Sequence, residues 1–468
     1  MNELEKLFNE KRTENGDIAY KTTGDNLTDL FFMTPYFEKH LDQVQIGESE
    51  KEKVFSMFVR DPRFGLGRRD LGRKLMELSN VEPYNVVRAG RFDDLWHNPR
   101  DKNLEFLKGT ITFENNELAK KWMPRLTGKD KKIAKALCKM WKISEKEYRK
   151  LIKTDSTTEY KLSYAEKLET ATTPLNDLFN EGVYSHPLVD EINFEQVPSL
   201  AMTKYLHTFS TREDLKDRFS EYINAVKENK AKVNTNTTNV YDGYKTATYG
   251  DWTTQSIESD AREVVANKIV DNAMLDVEMD AIVVLDTSGS MGGVDWGSKI
   301  PRQGSLLEKA MSIAYALSSK STYAPNQLIS FSSYPKLMTI KGETLKDKYA
   351  SMYTGDCSNT DFGKIMKLLQ GLTKFPEYLV VISDMEFDIG SYQTKQQTMK
   401  LFKECGAETK IIWWNLNDRS KTCPEMDNYG NIFISGYNMQ ILKLLENKFD
   451  MTTYIDKILE DYKKKVGI

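Results

Sequence analysis

The stretch that most constrains the fold is DAIVVLDTSGSM, residues 280–291. Four aliphatic residues, Ile282 to Leu285, stand in a row between polar neighbours, a pattern typical of a strand buried on both faces of a parallel sheet. Oxygen-bearing side chains then follow at alternate positions: Asp286, Ser288 and Ser290. Open α/β sheets place ligands at the carboxyl ends of their strands, and hard oxygens are what Mg²⁺ or Mn²⁺ prefers. The stretch therefore predicts half of a cation site at a sheet edge.

The ends of later elements supply the other half of this predicted site. Thr360 begins the predicted helix Thr360–Gln370, and Asp384 follows the predicted buried strand Tyr378–Ile382. Both positions fall on the edge of the sheet that carries Asp286. The predicted cation ligands are Asp286, Ser288, Ser290, Thr360 and Asp384, with Mg²⁺ or Mn²⁺ as the cofactor.

Three other interpretations compete for the same motif. A phosphatase of the haloacid dehalogenase type needs a second Asp two residues after the first, and position 288 is Ser. A flavodoxin-like phosphate loop could use Thr287, Ser288 and Ser290, but it leaves Thr360 and Asp384 without a role. A serine-rich turn that binds no metal is the purely structural alternative.

The remainder of the chain predicts two domains of different class. From Leu4 to about Lys230 apolar residues recur at helical spacing, and Lys51–Ser79 is typical of a helical hairpin. Lys230–Thr254 is rich in Asn, Thr, Gly and Tyr and predicts an irregular connection. Strands and helices alternate after it. The predicted strands are Gln327–Phe331, Tyr378–Ile382, Lys410–Trp414 and Asn431–Ser435, and the predicted helices include Leu306–Ser319 and Gln396–Cys405. We expect a helical-repeat domain at 1–257 and a doubly wound domain at 258–468.

The segment Lys120–Lys153 is strongly basic. It holds thirteen basic residues against three acidic ones, a local balance of +10 in a chain whose net charge is -3, so the rest of the chain carries -13. Trp122, Trp141 and Tyr148 lie among these charges, and basic plus aromatic residues are used for phosphate neutralisation and base stacking. Ser144 and Glu147 form a capping box, which predicts two helices in place of one continuous basic stripe. A solvated charged face, with Trp141 in the core, is the structural alternative.

A second cluster of positive charge is RDPRFGLGRRDLGR, residues 60–73, with five arginines around its glycines. Backbone N–H groups and arginine side chains both suit phosphate, so a phosphate-cradling loop is one interpretation and a solvated interhelical turn is the other. From charge alone, the candidate RNA-binding residues of the two clusters are Arg68, Arg69, Lys120, Lys121, Arg125, Lys131, Lys132, Lys135 and Lys139.

Composition excludes several functional classes. The chain contains no run of eighteen apolar residues and its first residues do not resemble a secretory signal, so we expect neither membrane insertion nor export. The four cysteines are scattered without a C-x-x-C pair, which favours a reducing cytoplasmic setting. No nucleophile and base stand out, and all histidines (His40, His97, His186 and His207) fall in the helical part. We therefore expect binding without catalysis.

The pattern D-x-S-x-S, followed by a separate Thr and by an Asp after a buried strand, resembles the metal-ion-dependent adhesion site of a von Willebrand factor A domain. The resemblance implies that Ser288, Ser290 and Thr360 ligate the cation directly, that Asp286 and Asp384 act through water, and that a carboxylate of a partner completes the coordination. It also implies a Rossmann-like doubly wound fold.

Together with that domain, the hairpin at residues 60–73, the AKKWMPRL segment and the NFEQVPSLAM segment resemble the TROVE-module proteins, the Ro autoantigen group. The resemblance is closest to uncharacterised relatives that share motifs like SDMEFD and WWNLND. It implies a HEAT-like helical-repeat ring and binding of small noncoding or misfolded RNA.

The expected function is thus an RNA-binding ribonucleoprotein scaffold with a Mg²⁺-dependent A domain that contacts an acidic partner or the chain itself. A metal-dependent protein-interaction module without RNA is the main alternative. A metal-dependent hydrolase is the third possibility.

Overall fold

The computed structural model divides into two compact units. The helical unit comprises Phe37–Ala201 and Ile455–Ile468, and the α/β unit comprises Met1–Tyr36 and Met202–Tyr454. The expected domain boundary after residue 257 stays a prediction. The structure describes residues 10–12, 18–20, 25–153, 192–197, 199–235, 238–249, 257–274, 278–294, 304–332, 334–355, 362–369, 374–384, 408–416, 425–426, 432–435, 437 and 451–468.

Short helices dominate the first half of the chain. They follow an antiparallel pair of short strands, β1 (Glu10–Arg12) and β2 (Ile18–Tyr20). The described helices up to residue 273 are α1 Asn26–Phe32, α2 Thr34–Lys39, α3 Glu50–Arg60, α4 Arg69–Leu78, α5 Pro83–Ala89, α6 Phe92–His97, α7 Asp101–Thr112, α8 Glu117–Lys121, α9 Lys131–Trp141, α10 Glu145–Leu151, α11 Ser199–Thr211, α12 Lys216–Lys227, α13 Val240–Thr248 and α14 Ile257–Ala273.

The predicted helical hairpin is confirmed as α3 and α4. Ser49 and Glu52 close a capping box at the start of α3, and the apolar residues of both helices are buried except Leu78, which is half-buried. A Cβ atom at Gly72 would lie 2.6 Å from the Cα atom of Arg60, so glycine permits the two backbones to approach closely.

The second half of the chain contains the main sheet. Its described elements are β3 Ala281–Asp286, α15 Leu306–Ser319, β4 Gln327–Phe331, β5 Lys336–Thr339, α16 Leu345–Met352, α17 Phe362–Leu369, β6 Tyr378–Ser383, β7 Lys410–Asn415, β8 Glu425–Met426, β9 Ile432–Ser435 and α18 Met451–Val466. The strand order is β5-β4-β3-β6-β7-β9-β8. The five inner strands are parallel, whereas β5 and β8 pair antiparallel at the two edges.

Helices cover both faces of this sheet. Ile282 and Val284 of β3 share a buried cluster with Ile365 and Leu369 of α17. Val283 and Leu285 point to the opposite face of the sheet because side chains alternate along a strand. Helix α15 packs against β3, and none of its residues belongs to the cluster that contains Ile282 and Val284. The four-residue aliphatic run is therefore buried from both sides, as its sequence predicts.

The last part of the helical unit is the second half of α18. The ring of Tyr462 packs edge-on against Phe58 with centroids 5.5 Å apart, and its hydroxyl donates to Oδ2 of Asp61 at 3.2 Å. The Arg88 guanidinium donates to the carbonyl oxygens of Val466 and Gly467. Residues at the end of the chain thus complete the packing of helices near its beginning.

The mixed helical and α/β architecture is confirmed, whereas the HEAT-like repeat and the von Willebrand factor A assignment stay predictions. The four predicted strands and the helix Leu306–Ser319 are present, and residue 431 and the helix Gln396–Cys405 lie outside the described residues. The irregular connection expected at Lys230–Thr254 is wrong in part, because α13 lies within it. Asn239 and Asp242 cap that helix, and its buried residues include Tyr241 and Tyr244 beside Val240 and Ala247. Among the described helices, none has the length and apolar character to cross a membrane.

Candidate metal centre and nucleic-acid interface

The predicted cation loop begins where β3 ends. Asp286 is the last residue of β3, between the parallel strands β4 and β6. The backbone N–H of Thr287 donates to the carbonyl of Phe331 at 2.9 Å, and the chain then leaves the sheet. A short 3₁₀ turn, Gly289–Met291, follows. Asp286 and Ser288 are buried at this edge, and Ser290 is exposed.

Hydrogen bonds fix the oxygens of this loop. Oδ1 of Asp286 accepts from the backbone N–H of Ser288 at 2.9 Å, and Oδ2 accepts from the hydroxyl of Ser383. The hydroxyl oxygens of Ser288 and Ser290 lie 3.0 Å apart. Ser383 was not predicted, because as the last residue of a buried strand it gave no separate signal in the sequence. It orients Asp286 from the neighbouring strand β6.

Asp384 lies at the same edge because it directly follows β6. It is buried, and its negative charge is one of the causes that raise the pKa of Asp286. Burial is the largest cause and raises that pKa to about 6, while the hydrogen bonds from Ser383 and Ser288 act in the opposite direction. Two buried carboxylates near each other favour a cation between or beside them.

The structure thus brings together four of the five predicted ligands: Asp286, Ser288, Ser290 and Asp384. The fifth, Thr360, lies outside the described residues. Within the described ranges no group of three or more His, Cys, Asp or Glu side chains is placed to hold a metal ion. The predicted set differs from such groups because it combines two carboxylates with hydroxyls.

The donor chemistry of these four residues fits a small hard cation. Two neighbouring ligands of an octahedral Mg²⁺ with bonds of ~2.1 Å are ~3.0 Å apart, and the hydroxyl oxygens of Ser288 and Ser290 have that separation. Asp286 and Asp384 supply negative charge beside them. Binding of Mg²⁺ or Mn²⁺ at this edge of the sheet stays a prediction.

Helix α9 carries a cluster of exposed positive charge. Its buried face consists of Ala134, Leu137, Cys138 and Trp141. Its opposite face exposes Lys131, Lys132, Lys135 and Lys139 to solvent, and Lys135 forms an ion pair with Glu145 at 3.3 Å. As predicted, the basic segment is divided, because Lys142 adopts a left-handed conformation after α9 and Ser144 caps α10. We call the four exposed lysines the α9 lysine face.

The aromatic residues of the basic segment are engaged elsewhere. Trp141 and Tyr148 are buried, and the Tyr148 hydroxyl donates to the carbonyl of Pro124 at 2.9 Å. Trp122 is half-buried, with the guanidinium of Arg91 4.7 Å above its ring. Base stacking on these three rings would require them to leave their present contacts, so the segment offers charge and not a stacking surface.

The other predicted lysines of the segment differ in exposure. Lys120 is buried, and its ammonium donates to Glu117 at 2.8 Å and to Asn115 at 2.5 Å. Lys121 and Arg125 are half-buried. Lys120 is therefore the member of the set least able to meet a phosphate.

The arginine-rich hairpin makes an ion-pair network. Arg60 and Asp94 are both buried and lie 2.8 Å apart. Arg73 contacts both Asp93 and Asp94, with 2.8 Å to Asp93. Of the two predicted RNA-binding arginines, Arg69 lies 2.9 Å from Asp93 and Arg68 lies 3.3 Å from Glu38. The inner arginines of the hairpin thus neutralise buried aspartates, whereas phosphate binding by Arg68 and Arg69 stays a prediction.

Comparisons with known proteins find two family models in the chain. Residues 280–465 match a domain of unknown function, DUF7788, and residues 98–240 match another, DUF2828. Each covers less than half of the chain, so they locate two regions without assigning the whole chain to one family.

A protein of Acanthamoeba polyphaga mimivirus, described as uncharacterized, is 25% identical over 518 residues, which cover 96% of this chain and 87% of the viral protein. Among solved structures, the crystal structure of the Deinococcus radiodurans Ro (RSR) protein matches with a TM-score of 0.40 and 12% identity, covering 93% of this chain and 94% of that one. A TM-score of 0.40 is too low to establish a common fold.

Proposed function

We propose that the chain is an RNA-binding scaffold whose α9 lysine face holds RNA phosphates. The observation that carries the proposal is this face itself: four lysines exposed on one helix, of which one is in an ion pair with another residue that the structure describes. Lysines on successive turns are about 6 Å apart along the axis, so several can contact one phosphate backbone at once. The sequence resemblance to the TROVE-module group supports small noncoding or misfolded RNA as the ligand.

The proposal is tested by reversing three charges of the face, with Lys131→Glu, Lys132→Glu and Lys135→Glu combined. A matched control reverses three exposed lysines elsewhere: Lys204, Lys230 and Lys232. Both variants change the net charge equally, so only a local binding surface distinguishes them. RNA binding that is lost in the first variant and kept in the control supports the proposal, and equal affinities contradict it.

We further propose that the cation loop binds Mg²⁺ and contacts a carboxylate of an acidic protein partner or of the chain itself. The support is the oxygen cluster of Asp286, Ser288, Ser290 and Asp384 at one sheet edge. If this site works without RNA, the chain is a metal-dependent protein-interaction module. Absorbance at 260 and 280 nm after gentle purification distinguishes the two, since only an RNA-binding scaffold retains nucleic acid.

Binding without catalysis is part of the same proposal. A metal-dependent hydrolase would instead show Mg²⁺-stimulated nuclease or phosphatase activity that Asp286→Ala abolishes. The expected result is no such activity in either protein.

A further inference from the structure

The helix α13 and the cation loop are joined through one buried carboxylate. Oε2 of Glu308, near the start of α15, accepts from the hydroxyl of Tyr249 at 2.9 Å and from that of Tyr241 at 3.4 Å. All three side chains are buried. Tyr241 lies in α13 and Tyr249 directly follows it. We call Tyr241, Tyr249 and Glu308 the tyrosine clamp.

The clamp continues to the cation loop through Ser305. The same Glu308 oxygen accepts from the backbone N–H of Ser305 at 3.2 Å, and the Ser305 hydroxyl accepts from the N–H of Glu308 at 3.1 Å. Ser305 in turn packs against Gly292, where an added Cβ atom would lie 3.1 Å from the Ser305 Cβ. Gly292 follows Ser290 by two residues, and its N–H donates to the carbonyl of Gly289. A continuous path of contacts therefore connects α13 with the loop that carries the predicted ligands.

Several features make this connection stiff. Gly304 faces the Tyr241 hydroxyl so closely that a Cβ atom there would lie 1.4 Å from that oxygen. The backbone N–H of Tyr241 donates to the Tyr437 hydroxyl at 3.1 Å, and the two rings pack edge-on with centroids 6.0 Å apart. Helix α13 also packs tightly on α14, because a Cβ atom at Gly243 would lie 2.4 Å from Val270. A displacement of the clamp cannot be absorbed locally in such dense packing.

We propose that the tyrosine clamp positions the cation loop, so that Tyr241 and Tyr249 set the cation affinity of Ser288 and Ser290 without touching the ion. The inference rests on the proposed cation site and names its regulation. Both tyrosines lie between the two matched regions, 98–240 and 280–465, so neither family model contains them. By reciprocity, cation binding must also stabilise helix α13.

The test uses the full chain and Mn²⁺ as the probe, with free Mn²⁺ measured by electron paramagnetic resonance. Gly304→Ala must displace the Tyr241 hydroxyl yet leaves every predicted ligand intact. Gly293→Ala is the matched control, since a Cβ atom there meets nothing within 4 Å. Tyr249→Phe removes the hydroxyl that donates to Glu308 and keeps the aromatic ring, which keeps the test decisive if Gly304→Ala folds poorly.

The expected result is Mn²⁺ affinity weakened roughly tenfold by Gly304→Ala and Tyr249→Phe, within the range typical of coupled sites, and unchanged by Gly293→Ala. Mg²⁺ should also slow deuterium uptake at residues 240–249 in the unmodified chain and less so in Tyr249→Phe. This second readout separates coupling from a simple loss of stability.

Two outcomes overturn the inference, and they are distinguishable. If the unmodified chain binds Mn²⁺, Ser290→Ala abolishes binding, and both clamp variants bind as tightly as Gly293→Ala, then the clamp has no positioning role while the cation site stands. If the unmodified chain binds no Mn²⁺, or Ser290→Ala has no effect, then the cation site itself fails and the clamp inference fails with it.

Discussion

Replacing Asp94 by alanine tests whether the arginine-rich hairpin is held by its ion pairs. The Asp94 carboxylate lies 2.8 Å from the Arg60 guanidinium, contacts Arg73, and accepts from the backbone N–H of Arg91 at 2.9 Å. Arg60 is itself buried, with 3% of its surface exposed. Asp94→Ala therefore leaves a buried positive charge without its nearest counter-charge.

The size of the effect follows from this burial. Removing one partner of a buried ion pair costs about 3–5 kcal/mol, because the remaining charge stays desolvated. Glu77→Ala is the matched control, since Glu77 is half-exposed and lies 3.5 Å from Lys74 on the surface of the same hairpin. Such surface pairs contribute about 0–1 kcal/mol.

Hydrogen–deuterium exchange of residues 50–97 is the suitable assay, because it reports opening of this segment separately from the rest of a chain with two compact units. A loss of 3 kcal/mol corresponds to exchange that is about a hundredfold faster. Asp94→Ala should show that acceleration, and Glu77→Ala should stay within about fivefold of the unmodified chain.

Equal exchange in the two variants would refute the network as the support of the hairpin. The same conclusion follows if Arg60→Ala or Arg73→Ala lowers RNA affinity without changing exchange, since the arginines would then serve phosphate and not the buried aspartates.

Three further predictions follow from single contacts. Tyr462→Phe leaves the buried Asp61 carboxylate without that donor and should cost about 1–3 kcal/mol, measured as faster exchange of α18. Burial raises the pKa of Glu258, but hydrogen bonds from His207 and Arg262 outweigh it and hold that pKa below the ordinary 4.5. The unfolded chain therefore binds the proton of the Glu258 carboxyl more readily than the folded chain does. The ionised Glu258 stabilises the folded chain above pH 4.5, and this contribution is lost as the pH falls below that value. Glu258→Gln should remove that part of the acid dependence in denaturation curves. Lys120→Ala should lower the free energy of unfolding and leave RNA affinity within about twofold of the unmodified chain. Lys132→Ala should reduce the slope of log K against log salt for RNA binding by about one. Filter binding measures the RNA affinity of both variants.

The sheet could be predicted from the sequence because its signals are local. Four aliphatic residues in a row, such as Ile282–Leu285, place apolar side chains on both faces of a strand, so the pattern predicts a strand that is buried on both faces. The capping box of Ser305 and Glu308 predicts the start of α15 within a few residues. The alternation of such signals gives the order of the elements, and the carboxyl edge of a parallel sheet then brings Asp286 and Asp384 together.

What the sequence does not reveal depends on partners distant along the chain. Asp94 is separated from Arg60 by the two helices α4 and α5, so no local pattern distinguishes this ion-pair network from a phosphate-binding loop. Helix α13 was missed because most of its buried residues are tyrosines and threonines, and Val240 and Ala247 are too few to give an aliphatic stripe. The burial of Trp141 was left open between core and surface, since its position at a helix end fits both.

The measurement that tests the central claim most directly is the salt dependence of RNA affinity. Each lysine that neutralises a phosphate contributes about 0.7 to 0.9 to the slope of log K against log salt. The combined change of Lys131, Lys132 and Lys135 to Glu should therefore make the slope shallower by about two to three, while the combined change of Lys204, Lys230 and Lys232 leaves it unchanged. Identical slopes in all three proteins would contradict an RNA-binding role for the α9 lysine face.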